Sequence, residues 1–374
     1  MTKKMIVAGH VCIDITPAFP YKKDARPGDL LQPGKLIEMG DATVSLGGAV
    51  SNVGLGMKVL GADVTLMGKL GTDSFGDLAL GMLDKYGVAD GMIRSDEEGS
   101  SYTIVLAIPG HDRIFLHNPG TNNVFYASDI PEEKLEGAAL FHFGYPPLMR
   151  SMYLNDGEEL IHIMQKVRAS GCGTSLDMAA VDPHSEAGKA NWKRIIQKVM
   201  PYVDFFVPSV EELCYMLDRE RFDDWNRRAN GRDVTEILDL DRDIRPLADL
   251  CMAMGTKILL LKCGVFGMYL RTAGKEALAA ISPRIELDAD QWADQEIFEK
   301  SYVPDRVASG TGAGDTSIAA FLLSVVNQET PQMCMHLAAG TGACCVSAYD
   351  SLSGLKPLSE LKERIEAGWE KLNG

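Results

Sequence analysis

The chain has 374 residues, and 46% of them are hydrophobic, which is ordinary for a soluble globular protein with a large core. Its formal net charge of −15 argues against a nucleic-acid-binding protein, which would carry an excess of basic residues. No apolar run approaches the ~18 residues that a membrane-spanning helix needs, and the first residues show no apolar secretion signal.

Eight cysteines are scattered along the chain, and no two of them form a Cys-x-x-Cys pair. Spacing of this kind is typical of small buried thiols in a reducing compartment rather than of a disulfide framework or a zinc site. Together with the missing signal segment, it favours a cytoplasmic protein.

Short apolar runs alternate with longer segments of helical periodicity. Strands are predicted at 5–11, 64–68, 139–143, 173–177, 204–207 and 258–262. Helices are predicted at 49–60, 75–85, 155–169, 187–200 and 211–217, and later at 315–326, 331–348 and 359–372. This alternation is typical of βαβ units, so we predict an α/β fold with a mostly parallel sheet.

Three segments depart from that alternation. Residues 13–46 and 101–124 have strand- and turn-like patterns that leave no room for full helices. Residues 218–245 are dense in charges of both signs and contain the turn-forming pair Asn230-Gly231. We expect this third segment to be a solvated excursion without a catalytic role.

A glycine-rich turn, Gly310-Thr311-Gly312-Ala313-Gly314-Asp315, opens the predicted helix at 315–326. Glycines at a helix N-terminus let backbone N–H groups approach an anion, and the helix dipole favours negative charge there. Asp315 would repel a phosphate unless it faces another group, such as a hydroxyl that must lose its proton. An anion cradle beside a carboxylate is the combination that phosphoryl transfer to an alcohol needs. The same dipole should lower the pKa of Asp315.

Two further motifs lie near the N-terminus. Gly47-Gly48-Ala49-Val50-Ser51-Asn52 opens a helical pattern, and Asp14 closes the segment that follows the first predicted strand. With the turn at 310–315, they resemble the signatures of the PfkB/ribokinase-like carbohydrate kinases, in the same order, from about Met5 to about Ser351. The resemblance implies one ribokinase-like domain over 1–374, with a doubly wound, mostly parallel sheet flanked by helices. Segments 13–46 and 101–124 would form a small β-sheet lid over the sugar.

The resemblance also assigns roles to individual residues. Asp315 would be the general base, with an anion hole formed by Gly312, Ala313 and Gly314. Sugar hydroxyls would bind to Asp14, Gly48 and Asn52. The nucleotide would contact Lys262, Gly264, Gly267 and Thr311, and Glu212 would bind Mg²⁺ through water. The expected cofactors are ATP and Mg²⁺, and a requirement for a monovalent cation is left open.

The chain departs from the family pattern at three places. Lys262 stands where threonine is usual, Ser209 replaces an asparagine in the motif that contains Glu212, and Ser309-Gly310 replaces Asp-Thr before the anion hole. An ammonium group at Lys262 could reach ATP phosphates, although a lysine that extends to solvent fits the sequence nearly as well.

The leading interpretation is an ATP-dependent kinase that phosphorylates a hydroxyl of a small sugar. A nucleoside kinase is the alternative within the family, and a non-catalytic sugar-binding regulator is the alternative from another class. A dinucleotide-dependent oxidoreductase is disfavoured, because no Gly-x-Gly-x-x-Gly follows the first strand. The expected partners are the sugar, ATP and a second copy of the chain, with neither nucleic acid nor membrane.

Overall fold

The computed structural model describes residues 3–20, 28, 32–109 and 113–372. In these ranges thirteen strands form two sheets. The strands are β1 (Lys4–Gly9), β2 (Cys12–Pro17), β3 (Ala42–Gly47), β4 (Asp63–Gly71), β5 (Met92–Ser95), β6 (Tyr102–Leu106), β7 (Ile114–Asn118), β8 (Leu140–Gly144), β9 (Gly173–Leu176), β10 (Phe205–Phe206), β11 (Ile258–Lys262), β12 (Met268–Thr272) and β13 (Glu296–Glu299).

The α-helices lie mainly between these strands. They are α1 (Ala49–Val59), α2 (Ser74–Asp84), α3 (Glu132–Leu135), α4 (Glu158–Ala169), α5 (Glu186–Lys189), α6 (Trp192–Val199), α7 (Val210–Leu217), α8 (Arg219–Ala229), α9 (Arg245–Ala253), α10 (Lys275–Leu278), α11 (Ala289–Trp292), α12 (Ala313–Val326), α13 (Pro331–Cys345) and α14 (Leu358–Glu366). None of the helices that the structure describes is long and apolar enough to cross a membrane.

The larger sheet has the strand order β13-β12-β11-β10-β9-β8-β1-β4-β5 within the described residues. Its strands pair in parallel from β5 to β11, whereas β12 and β13 are antiparallel to their neighbours. The prediction of a mostly parallel sheet is therefore confirmed. All six predicted strands belong to this sheet, because their short apolar runs are buried between two layers of helices.

The core occupies both faces of the larger sheet. Along β1, Met5 and Val7 pack into one buried cluster, whereas Ile6 and Ala8 pack into another. Successive side chains of a strand point to opposite faces, so the two clusters lie on opposite sides of the sheet. The first cluster includes residues of α1, α12 and α13, and the second includes residues of α4, α6 and α7. The N-termini of α1 and α12 lie at the edge where the parallel strands end, since Asn52 and Asp315 in their first turns bond each other.

The smaller sheet has the order β3-β2-β6-β7 within the described residues. Strand β2 pairs antiparallel with β3 and parallel with β6, and β6 pairs antiparallel with β7. This sheet matches the predicted small sheet from 13–46 and 101–124. Parts of those segments, 21–27, 29–31 and 110–112, lie outside the described residues.

The expectation of a solvated excursion at 218–245 was wrong. Helix α8 covers much of it, and the side chains of Trp225, Val234 and Ile244 are buried in the main core. Buried Asp243 accepts a hydrogen bond from the Trp225 indole at 2.8 Å. The dense charges occupy the outer face of an ordered element whose inner face is apolar. The turn at Asn230-Gly231 has positive φ at both residues, as its sequence suggests.

Two predicted helices differ in extent. The helix predicted at 187–200 is divided, because Asn191 starts a new helix by accepting a hydrogen bond from the Arg194 backbone N–H. The helix predicted at 359–372 ends at Glu366, where Gly368 adopts a φ of 87°. Glycine in the left-handed region is a common helix terminator.

Candidate active site

The carboxylate of Asp315 lies in the first turn of helix α12 and is 6% exposed. Two side chains donate hydrogen bonds to it, one to each carboxylate oxygen. The Asn52 amide donates to Oδ2 at 3.0 Å, and the Tyr145 hydroxyl donates to Oδ1 at 2.6 Å. Asn52 belongs to α1, and its own Oδ1 accepts from the Ser351 hydroxyl at 3.1 Å. The N-termini of two helices and the end of one strand therefore meet at this carboxylate.

The predicted lowering of the Asp315 pKa was wrong. Burial raises this pKa, although the charge of Lys262 and the hydrogen bonds from Tyr145 and Asn52 act in the opposite direction. The negative charge of Glu212 adds to the upward shift. Desolvation of a carboxylate outweighs the helix dipole here, because the dipole contributes only about 0.3–1 kcal/mol at most helix ends.

The glycine turn before Asp315 has little room for side chains. Gly312 has a φ of 74°, and a β-carbon there would lie 2.4 Å from the β-carbon of Ser351. Gly310 is exposed and has open space around it. The departure at Ser309 has a local explanation, since its hydroxyl accepts from the Thr311 backbone N–H at 3.2 Å and bonds the Thr311 hydroxyl at 2.9 Å. These bonds order the turn that would surround an anion.

Lys262 points into the site rather than towards solvent. Its Nζ lies 2.7 Å from Oδ1 of Asp177, and its side chain is 11% exposed. A β-carbon at Gly314 would lie 3.4 Å from Cδ of Lys262, so the lysine passes directly beside the anion turn. Burial raises the pKa of Asp177 to about 8. The charges of Glu212 and Asp315 also raise this pKa, whereas the charge of Lys262 lowers it.

A cavity of about 260 Å³ connects these groups. Its wall consists of Tyr145, Asp177, Ser209, Glu211, Glu212, Asp233, Thr235, Lys262, Gly264, Gly314 and Asp315. Five of these residues are acidic and one is a lysine. A triphosphate would be repelled by such a wall unless a cation accompanied it.

Glu212 has a structural partner in addition to its place in this wall. Ser209 and Glu212 form a capping box at the start of α7, in which Oε2 of Glu212 accepts from the Ser209 backbone N–H at 2.9 Å. Serine at 209 therefore caps the helix that carries Glu212. Within the described ranges, no three His, Cys, Asp or Glu side chains converge to hold a metal ion by themselves.

The segment 218–245 also reaches the cavity. Asp233 and Thr235 line it, and Thr235 is buried against the turn at 262–267, which contains the predicted nucleotide-binding residues Lys262, Gly264 and Gly267. A β-carbon at Gly264 would lie 2.6 Å from the Thr235 hydroxyl, and Gly264 itself has a φ of 56°. At Gly267, with a φ of 134°, a β-carbon would lie 2.2 Å from the Glu299 carbonyl oxygen. Both positions have a positive φ and no room for a side chain, next to the Thr235 side chain at Gly264 and next to backbone at Gly267.

Of the predicted sugar-binding residues, Asn52 bonds Asp315 directly, whereas Gly48 contacts His10. Gly48, with a φ of 86°, leaves no room for a β-carbon next to His10. The rings of His10 and Tyr145 lie 6.1 Å apart, and Nε2 of His10 lies 3.2 Å from Nε2 of His117. Asp14 lies against Gly47, and its Oδ1 accepts from the Cys12 thiol at 3.3 Å. Burial raises the pKa of Asp14.

Sequence reasoning did not single out Tyr145, Asp177, His10 or Asp233. Tyr145 and Asp177 follow directly after β8 and β9, and polar residues at the carboxyl ends of parallel strands are a recognisable signal of a ligand site. His10 follows β1 in the same way. Asp233 had no such signal, because it reaches the cavity through the packing of an inserted segment.

All eight cysteines are buried and unpaired, as their spacing predicted.

Comparisons with known proteins identify the family and the fold of the chain. Residues 3–356 match the pfkB family carbohydrate kinases. The chain is 22% identical over 339 residues to the 2-dehydro-3-deoxygluconokinase of Bacillus subtilis, covering 89% of this chain and 90% of that protein. The ribokinase of Arabidopsis thaliana, solved with ribose and ATP, superposes with a TM-score of 0.70 and 18% identity, covering 97% of this chain and 98% of the other.

A putative ribokinase II from E. coli, solved with ATP and Mg²⁺, superposes with a TM-score of 0.68 and 19% identity, covering 98% of this chain and 99% of the other. The predicted ribokinase-like fold is thus confirmed. The chain belongs to the pfkB family of carbohydrate kinases, and it is a sugar kinase, an enzyme that transfers a phosphoryl group from ATP to an alcohol group.

Proposed function

We propose that this enzyme phosphorylates a hydroxyl of a small sugar, with Asp315 as its general base. The observation that carries this proposal is the position of Asp315. Its buried carboxylate is held by Asn52 and Tyr145, and it lines the same cavity as Lys262 and the glycine turn. A proton acceptor and a phosphate cradle therefore face one space, which is what transfer to an alcohol requires.

The proposed step joins the acceptor oxygen to the γ-phosphorus of ATP. The bond from that phosphorus to the β–γ bridging oxygen breaks, ADP leaves with the electron pair, and the hydroxyl proton passes to Asp315. A carboxylate is a weak base, so it takes this proton late, as negative charge leaves the acceptor oxygen. Burial makes Asp315 a better acceptor than an exposed aspartate, because its pKa is raised.

The phosphoryl oxygens would be bound by backbone N–H groups of Gly312, Ala313 and Gly314. Thr311, Gly264 and Gly267 would contact the rest of the nucleotide. Lys262 supports this assignment, because it is the lysine of the cavity wall and passes beside Gly314. A single cation at this place would stabilise charge that develops on the transferred group.

The site also fits Mg²⁺. Glu212 faces the cavity, and Oδ2 of buried Asp177 has no hydrogen-bond partner. Carboxylate oxygens are the ligands that Mg²⁺ prefers, and this ion usually keeps water and phosphate oxygens as its other ligands. We propose that Glu212 holds it through water. When bound, Mg²⁺ would neutralise the phosphate charge that the acidic wall opposes.

The sugar would bind between the two sheets, on Asp14, Gly48 and Asn52. We propose that the four-stranded sheet acts as the lid of a single kinase domain, since Asp14 and His117 come from its strands β2 and β7. A lid would exclude water, which would otherwise compete with the sugar for the phosphoryl group.

We also propose a cytoplasmic homodimer. Eight buried thiols suit a reducing compartment. On the smaller sheet, Ile114 and Leu116 share one face of β7 and are 37% and 50% exposed, and a second copy of the chain would cover them. Light scattering at micromolar concentration should give the mass of a dimer, and a monomer would contradict this part of the proposal.

A nucleoside is the second candidate substrate class. A cavity of about 370 Å³ lies beside His117, and its wall includes the apolar surfaces of Phe115, Pro147, Leu148 and Tyr153. A planar base could occupy such a space while the ribose binds at Asp14.

The identity of the acceptor can be tested by ADP release. The enzyme with ATP and Mg²⁺ is offered pentoses, hexoses, phosphosugars and nucleosides, and Asp315→Asn serves as the background control. We expect rapid sugar-dependent ADP release for one sugar class. Turnover restricted to nucleosides would support the second candidate instead. ADP release that no acceptor stimulates would contradict both.

A further inference from the structure

Tyr145 contacts the proposed base more closely than any substrate-binding residue named above. Its hydroxyl lies 2.6 Å from Oδ1 of Asp315, and the ring lines the cavity that contains Lys262 and Gly314. Hydrogen bonds to a charged acceptor are short and about twice as strong as bonds between neutral groups. This contact therefore bears directly on the carboxylate that would take the proton.

The backbone of Tyr145 is strained. Its φ of 66° and ψ of 40° place a bulky residue in the left-handed region, and the following Pro146 pushes its predecessor towards an extended conformation. Such strain persists only where the surroundings hold it, and it concentrates at functional sites. Here the preceding residue is held tightly, since a β-carbon at Gly144 would lie 2.1 Å from that of Ala49.

We propose that Tyr145 is a positioning residue that aims the Asp315 carboxylate at the acceptor hydroxyl. This inference rests on the proposed role of Asp315 as general base. The hydroxyl of Tyr145 fixes Oδ1 while the Asn52 amide fixes Oδ2, so the carboxylate cannot rotate. Each oxygen keeps a second lone pair, and one of them can accept from the sugar.

Tyr145 itself does not take the proton. Burial raises the pKa of its phenol well above the usual value, and the charges of Asp315, Asp177 and Glu212 act in the same direction. The phenol therefore stays protonated and donates its hydrogen bond to Asp315. Its loss would leave that oxygen without this donor, and the carboxylate would be both freer to rotate and easier to protonate.

The test is Tyr145→Phe, which removes the hydroxyl and keeps the ring. We expect kcat to fall about 10- to 100-fold, which corresponds to a hydrogen bond to a charged group, with a nearly unchanged KM for ATP. The acidic limb of the kcat–pH profile should move to higher pH. The charged and titratable groups that face Asp315 from other elements, Lys262, Glu212 and Asp177, remain in the variant.

Tyr302→Phe is the matched control. Tyr302 is 2% exposed, and its hydroxyl bonds Nδ1 of His336 at 3.1 Å, away from the cavity wall. This variant should be less stable than the wild type, but the acidic limb of its kcat–pH profile should coincide with that of the wild type.

Replacement of Tyr145 by 3-fluorotyrosine, a more acidic phenol of nearly the same shape, covers the case in which Tyr145→Phe does not fold. A stronger hydrogen bond should move the acidic limb to lower pH. A limb that coincides with that of the wild type in either variant would overturn the inference, as would a lower KM for the sugar with unchanged kcat. If Asp315→Asn itself remained active, the proposed base would fail, whatever Tyr145 does.

Discussion

At the scale of single residues, burial and a few side-chain contacts decide the chemistry of the site. Asp315 lies in the first turn of a helix, yet burial raises its pKa, although the hydrogen bonds from Asn52 and Tyr145 oppose this shift. Lys262 is directed inward by a hydrogen bond from its Nζ to Oδ1 of Asp177, where its sequence left a solvent-directed alternative open. The side chains that contact these two residues, Asn52 and Tyr145 for Asp315 and Asp177 for Lys262, come from distant parts of the chain.

Asp177 gives a stability prediction whose sign depends on its raised pKa. The folded protein keeps a proton on this carboxyl up to a pH of about 8, whereas the unfolded chain releases it near pH ~4. The contribution of Asp177 to the stability of the folded state is therefore complete below pH ~4, and it is lost as the pH rises towards 8. Between these limits, the free energy of unfolding of the wild type should fall relative to that of Asp177→Asn.

Urea unfolding at several pH values measures this difference. The exposed Asp77→Asn serves as the control, because Asp77 is paired only with the surface residue Arg94 in the described contacts. If the free energy of unfolding of the wild type, relative to that of Asp177→Asn, stays constant or increases as the pH rises, the raised pKa of Asp177 is contradicted.

The glycines and the aspartate of the site were predictable, since local sequence determines them. Gly48 and Gly312 have positive φ, which other residues rarely adopt, and they open the two helices that meet at the site. Tyr145 was not predictable in the same way, because its hydrogen bond to Asp315 joins residues far apart in sequence. No short motif records such a contact.

At the scale of elements, the buried strands and the helices that cover them followed from periodicity, whereas the segment 218–245 did not. Its charges form one face of α8, and its apolar residues Trp225 and Val234 are too widely spaced to suggest a core element. Only its packing shows that it reaches the proposed nucleotide turn at 262–267, where Thr235 meets Gly264.

Gly264→Ala tests this contact. The added β-carbon would lie 2.6 Å from the Thr235 hydroxyl, and the positive φ of Gly264 adds backbone strain. We expect the KM for ATP to rise about 10-fold or more with a smaller change in sugar KM, since such strain costs about 1–3 kcal/mol. Gly81→Ala in α2 is the control, because a β-carbon there meets open space and should leave ATP binding unchanged. An unchanged KM for ATP in Gly264→Ala would remove this turn from the nucleotide site.

At the scale of the whole molecule, the proposed lid must close only when the sugar is present. Hydrogen exchange in β2, β3, β6 and β7 should slow when the sugar binds, because closure adds cover over this sheet. The central strands β1 and β8 serve as an internal reference, since they are buried in the core of the larger sheet. Equal exchange in the smaller sheet with and without sugar would contradict the lid.

The central claim is that Asp315 accepts the proton of the acceptor hydroxyl, and turnover of Asp315→Asn tests it most directly. The change keeps the shape and removes the proton acceptor, while ATP contacts remain. We predict that kcat falls roughly 10²- to 10⁴-fold with nearly unchanged ATP affinity. A folded variant that retains more than about a tenth of wild-type turnover would contradict the account.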